Sequence, residues 1–226
     1  MSKKRDSNFS KRSKSSSNLA RTRKKKEGRQ YILIVVEGKT EYNYLKSLNK
    51  SLKLPTIKVE VVDGKGGSPL VIVEKACDLC KGKNYEKIFC VFDGDKPEEY
   101  KKALKEVKKN DKNDKNDITA IPSIPCFELW FLLHYRYTTQ HFCKCNDVID
   151  QINYELRKED NIYDKNMDMY SLLEKKLDKA IARAKRLEEY HKEEQTLNID
   201  CANPLTKVHQ LVKYLQDQKD YKTTKN

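Results

Sequence analysis

The stretch "KIFCVFDGDKP", residues 87–97, decides the fold. Ile88 to Phe92 are apolar without a break, the mark of a short strand buried on both faces of a sheet. Asp93, Gly94 and Asp95 follow at once, and Pro97 sits where a helix would begin. A buried strand that ends in two acids poses a question of chemistry, because uncompensated charge at the rim of an apolar layer is costly.

The same grammar recurs on both sides. "YILIVVEG" (31–38) is a β-branched strand ending in Glu37, and "TEYNYLKSLNKSL" (40–52) carries Tyr44, Leu45, Leu48 and Leu52 at helical spacing. "TIKVEVVDG" (56–64) is a second strand ending in Asp63, and "SPLVIVEKACDLC" (68–80) starts a helix with Ser68 as N-cap and Pro69 at its first position. "DITAIPS" (117–123) is a fourth strand, followed by the apolar helix "PCFELWFLLHYRY". Strand and helix in alternation predict a mostly parallel four-stranded α/β sheet flanked by helices, over residues 31–140. Residues 141–226 read as a helical extension packing on the same domain, with Leu173, Leu177, Ala180, Ile181, Ala184 and Leu187 on one face. Asn203 and Pro204 read as the start of the last helix. The run "KNDKNDKND" (109–117) reads as a solvated insertion.

Charge is unevenly placed. Residues 1–30 hold 12 Lys/Arg against Asp6 and Glu27, so this segment carries +10 of the net +13. It is Ser-rich with almost no apolar residues, and is expected to be a disordered basic tail that either attracts nucleic-acid phosphates or only aids solubility. The tail lacks the apolar stretch of a secretory signal, and no long uncharged apolar run occurs, so a cytoplasmic protein without a membrane span is expected. Seven cysteines without an export signal read as thiols rather than a disulfide framework. Neither "CDLC" (Cys77, Cys80) nor "HFCKC" (His141, Cys143, Cys145) has the paired spacing of a zinc knuckle.

In a parallel α/β sheet, ligands bind outside the carboxyl ends of the strands. Glu37, Asp63, Asp93 and Asp95 all fall there, and Glu41 lies one helical turn beyond Glu37. Converging carboxylates repel unless a cation joins them, and hard oxygen ligands suit Mg²⁺ or Mn²⁺. Asp95 could instead simply cap the helix at Pro97, but the neighbouring "VVEGKTE" favours a shared site, with Gly94 letting the chain turn sharply so that both aspartates face it. Lys39 and Lys65 stand beside the acids and could meet substrate phosphates. "EGKT" is not a P-loop end, because Leu33 occupies the place of the required glycine.

A strand ending in Glu-Gly, a Gly-rich turn before a Ser-Pro helix start, and a strand ending in Asp-x-Asp together resemble the TOPRIM fold of topoisomerases, primases and related nucleases. More closely, "EGKTEYNYLKSL", "VFDGDKPEEY", "SIPCFELWFLLHY", "AIARAKRL" and "NPLTKVHQLV", in this order, resemble the RloB family of bacterial restriction and phage-defence loci. The resemblance implies that Glu37, Asp93 and Asp95 hold Mg²⁺ or Mn²⁺, that Glu37 or Glu41 handles protons, and that Glu128 is a further ligand or positioning acid. It implies a metal-dependent nuclease acting on DNA, RNA or tRNA in antiphage defence, with an ABC- or AAA-type ATPase encoded in the same locus as partner, and leaves a homo-oligomer possible. The rival expectation is a non-catalytic, TOPRIM-derived nucleic-acid-binding or sensor subunit. A nucleotidyl transferase would use the same acids but needs a nucleotide-binding element that the sequence does not display. For Trp130, Phe131, Leu132 and Leu133 core packing is the preferred reading, and for His134 a packed or surface position is preferred to a catalytic role.

Deleting residues 1–30 is expected to weaken nucleic-acid binding and flatten its dependence on salt, leaving the folded body intact. Binding measured by fluorescence anisotropy from low to high salt checks this. Identical curves for the two proteins would exclude the tail from binding.

Overall fold

A computed structural model describes residues 31–54, 56–61, 67–83, 85–111, 117–194 and 202–224. The basic tail, Asp63, Lys65 and the centre of the KND run lie outside these described residues. The chain runs β1 (Tyr31–Val36), α1 (Lys39–Leu52), β2 (Ile57–Val61), α2 (Pro69–Cys80), β3 (Tyr85–Asp93), α3 (Pro97–Asp111), β4 (Ile118–Ile124) and α4 (Glu128–Tyr135). It continues with α5 (Cys145–Leu156), α6 (Met169–Leu173), α7 (Leu177–Glu193), β5 (Leu205–Thr206) and α8 (Val208–Thr224).

The sheet order is β2-β1-β3-β4-β5, parallel except for β5. Strand periodicity divides β1 between two cores. Ile32, Ile34 and Val36 pack with α1, α4 and the later helices, whereas Leu33 and Val35 pack with α2 and α3. With β1 buried from Ile32 to Val36, both faces must be apolar, which is why its sequence does not alternate. The order reverses between β1 and β3. The chain leaves β1 toward β2 on one side and leaves β3 toward β4 on the other, opening a crevice at their carboxyl ends.

The sheet has five strands, not the expected four. The fifth is two residues long, too short to show any period, and exists through pairing: Leu205 and Thr206 lie antiparallel to Ile124 and Ser123. The Ser123 and Thr206 hydroxyls are 2.8 Å apart, and the Lys207 N–H donates to Pro122 O at 3.0 Å. Asn203 and Pro204 therefore precede a strand. The last helix starts at Val208, whose N–H donates to Thr206 Oγ1.

The helices after residue 140 share the larger core with the sheet. Val148, Ile152, Leu156, Leu173, Ala180, Ala184, Leu187, Leu211 and Leu215 belong to the same cluster as Ile32 and Phe89. Its centre is α4, where Leu129, Trp130, Phe131, Leu132 and Leu133 are wholly buried. Tyr44 of α1 makes ring contacts with Phe127, Trp130, Phe131 and His134, and with Tyr170 of α6. Such contacts hold a helix at a defined angle beyond what area burial alone achieves.

Gly94 serves a different purpose from the one its sequence context suggested. No positive φ occurs there; instead its N–H donates to Ser123 O at 2.8 Å, and a Cβ would stand 2.5 Å from Ile124 Cγ1. Close approach to β4, not a sharp turn, excludes a side chain. Gly94→Ala is expected to destabilise the protein by about 1–3 kcal/mol through overpacking against buried Ile124. Urea denaturation checks this, and an unchanged midpoint would mean that β4 yields without cost.

Candidate functional site

Each acid at the crevice is placed by a different element. Glu37 follows β1, Glu41 lies in the first turn of α1, Asp93 ends β3 and Glu128 opens α4. A backbone N–H meets two of them directly. Glu37 Oε2 accepts from the Asp93 N–H at 3.3 Å, and Asp93 Oδ1 accepts from the Phe127 N–H at 2.8 Å. These bonds tie the ends of β1 and β3 to the start of α4. Gly38 is the N-cap of α1, and a Cβ there would lie 3.1 Å from Glu41 Oε2. A glycine at this place lets the Glu41 carboxylate fold back over the helix start, toward its own N–H and that of Gly38.

The electrostatics show that these groups feel one another. Burial pushes the Asp93 carboxyl well above the usual carboxylate range, and the charges of Glu41, Glu37 and Glu128 push it further, against the Phe127 N–H. Burial likewise raises Glu41 to about 7, with Glu128 and Glu37 adding and the two backbone N–H groups opposing. Glu37 is raised by burial and by Asp95, and lowered by the Asp93 N–H and Lys96. Glu41 and Glu128 are each only 5 % exposed. Buried and half-buried acids with raised proton affinity, at the switch point of a parallel sheet, have the environment of a functional site.

The expected set is brought together unevenly. Glu37, Glu41, Asp93 and Glu128 interact, whereas Asp95 is exposed and acts on Glu37 from outside. Among the described residues, no three of Glu37, Glu41, Asp93, Asp95 and Glu128 bring ligand oxygens within 4.8 Å of one another. Lys39 is exposed at the start of α1, and Lys65 lies outside the described residues. His134 is a core residue, 1 % exposed, with Nδ1 2.8 Å from Trp130 O; burial lowers its pKa to about 4.

Four participants were not legible beforehand. Tyr163, in the loop between α5 and α6, donates its hydroxyl to Glu128 Oε1 at 2.8 Å and lies 3.4 Å from Thr40 Oγ1. Lys96 supplies positive charge near Glu37. Cys126 and Cys145 form a disulfide beside Glu128, contrary to the expectation of thiols, because the fold sets the starts of α4 and α5 side by side with Cα atoms 5.6 Å apart. Cys145 thus pairs with Cys126 rather than with His141 or Cys143. A cavity of about 210 Å³ opens next to Asp95, lined by Gly94, Pro125, His141, Cys143 and Asn203 among others.

Fold and site together define an α/β protein with a carboxylate cluster at the switch point of a mostly parallel sheet. The chain belongs to the RloB-like family: the family model described as RloB-like protein matches residues 32–215. No match was found among curated proteins or among solved structures. Among the described residues, no helix is long and apolar enough to cross a membrane.

The raised acids fix the sign of a pH effect. A carboxyl that binds its proton more tightly when folded stabilises below its unfolded value, near 4.5 for Glu41, and loses that contribution as pH rises through its folded value, about 7. In a chelator-containing buffer, melting temperature is expected to fall between about pH 5 and 8. Glu41→Gln should flatten that slope and stabilise the protein at pH 8 by roughly 1–3 kcal/mol. Scanning calorimetry tests both, and an unchanged slope in the variant would assign the titration to other groups.

Proposed function

We propose that this chain is a divalent-metal-dependent nuclease of a bacterial antiphage system, built on a TOPRIM-like fold. The observation that carries the proposal is the meeting of Glu37, Glu41, Asp93 and Glu128 at one crevice, each of the first three with a raised proton affinity that neighbouring carboxylates help to cause. The donor set is all oxygen, which fits Mg²⁺ or Mn²⁺, and such ions take only one or two carboxylates, leaving other positions to water and substrate. Glu37 and Asp93 would hold the cation, with Asp95 at the mouth. When bound, it would supply Lewis-acid polarisation of the scissile phosphate and neutralise developing charge.

The chain's own groups do the rest. Glu41, titrating at about 7, can take up or release a proton at its carboxylate near neutral pH, as general acid–base work requires. The Phe127 N–H and the Tyr163 hydroxyl hold Asp93 and Glu128 in place. Lys96 and exposed Lys39 offer positive charge to the nucleic-acid backbone. The restriction and phage-defence setting that the family resemblance implies supports an ABC- or AAA-type ATPase as partner.

A second reading rests on one observation. Since no three of Glu37, Glu41, Asp93, Asp95 and Glu128 have ligand oxygens within 4.8 Å of one another, a non-catalytic nucleic-acid-binding or sensor role is the alternative.

Purified protein with Mn²⁺ and DNA, RNA or tRNA distinguishes the two. Cleavage is expected from the wild type and a loss of about 100-fold or more in Asp93→Asn. Equal cleavage by both proteins would overturn the assignment of the site, and calorimetry showing no Mn²⁺ uptake would favour the non-catalytic reading.

A further inference from the structure

One group of side chains borders the carboxylate cluster and shares Glu128 with it. Cys126, Glu128 and Cys145 place one ligand atom each within 4.8 Å of one another, and among the described residues this is the set of three that meets that condition. Cys126 is 2 % exposed and Glu128 5 %. The two oxygens of Glu128 are unequally served. Oε1 accepts the Tyr163 hydroxyl, whereas Oε2 faces Cys145 Sγ at 3.3 Å. Sulfur in a disulfide bears no proton, so in the bonded form that contact brings a buried carboxylate oxygen no donor. A buried carboxylate oxygen in that position is suited to a cation.

We propose that Cys126, Cys145 and Glu128 form a redox-gated site for a thiophilic divalent metal of the Zn²⁺ class, with disulfide and metal-bound forms mutually exclusive. Reduction breaks the S–S bond. A dithiol reductant delivers two electrons and two protons, two S–H groups form, and the reductant becomes a disulfide. Zn²⁺ then displaces both thiol protons and takes two sulfurs and one carboxylate oxygen, leaving the fourth tetrahedral position to water. Two thiolates select this metal class over the hard cations suited to the neighbouring acids. The scaffold suits the role, since Cys126 and Glu128 are fixed by the buried start of α4 and Cys145 by the start of α5, so reduction separates the sulfurs without releasing either helix from the core.

The test uses the full chain reduced with a phosphine and titrated with Co²⁺ as a spectroscopic substitute for Zn²⁺. Alkylation and mass spectrometry report which of the two forms is present. The reduced protein is expected to bind one Co²⁺ with a thiolate-to-cobalt charge-transfer band, which Zn²⁺ then bleaches, and the oxidised protein to show no band. Cys145→Ser should weaken binding by about 100-fold, and Glu128→Gln by about tenfold with the band retained. Cys143→Ser should leave the titration unchanged. Circular dichroism verifies that the Cys145 variant is folded, and the Glu128 variant keeps both thiols as a second readout. No band in reduced protein with both thiols free, or undiminished affinity in Cys145→Ser, overturns the proposal. None of these readouts depends on nucleic-acid cleavage.

Discussion

The hydrogen bond from the Phe127 N–H to Asp93 Oδ1 is the constraint from which the site takes its shape. It joins the end of the central strand β3 to the start of α4, the most deeply buried helix. Because α4 is packed around Tyr44 and the core residues of β1 and β3, Asp93 cannot swing toward solvent without giving up that bond. The Asp93 N–H in turn meets Glu37, so β1 is drawn into the same arrangement. Carboxyl groups are thereby held where burial disfavours their charged form, which raises their proton affinities.

An apolar interior is what makes this arrangement rigid. Core helices that exclude water on one side leave the carboxylates only the crevice as an outlet. The later helices are therefore part of the site's construction. The loop before α6 brings Tyr163 to Glu128, and α5 brings Cys145 to the same side chain. Glu128 consequently sits between two chemistries: an oxygen-rich cluster on one side and a sulfur pair on the other. The first suits hard cations and phosphate, the second soft metals and redox change.

His134 illustrates the opposite outcome. Its imidazole has the residue type of a catalyst, yet it lies in the core against Trp130, where burial holds it neutral near pH 7. Position in the fold, not side-chain chemistry, assigns it to packing.

Much of the architecture is local in origin. Apolar runs of five or six residues, ending in acid and followed by helical periodicity, specify strands, helices and the carboxyl ends at which Glu37 and Asp93 stand, because side-chain period follows backbone geometry. The same logic placed Glu128 just past β4. Everything that requires distant segments to touch was out of reach. A two-residue strand such as β5 has no period, and the exclusion of a side chain at Gly94 depends on Ile124, thirty positions away. The Tyr163–Glu128 bond and the Cys126–Cys145 link cross helices whose relative placement no spacing encodes. Patterns along the chain determined which acids end the strands; only packing across it decided which of them share a low-dielectric crevice and which, like Asp95, remain in water.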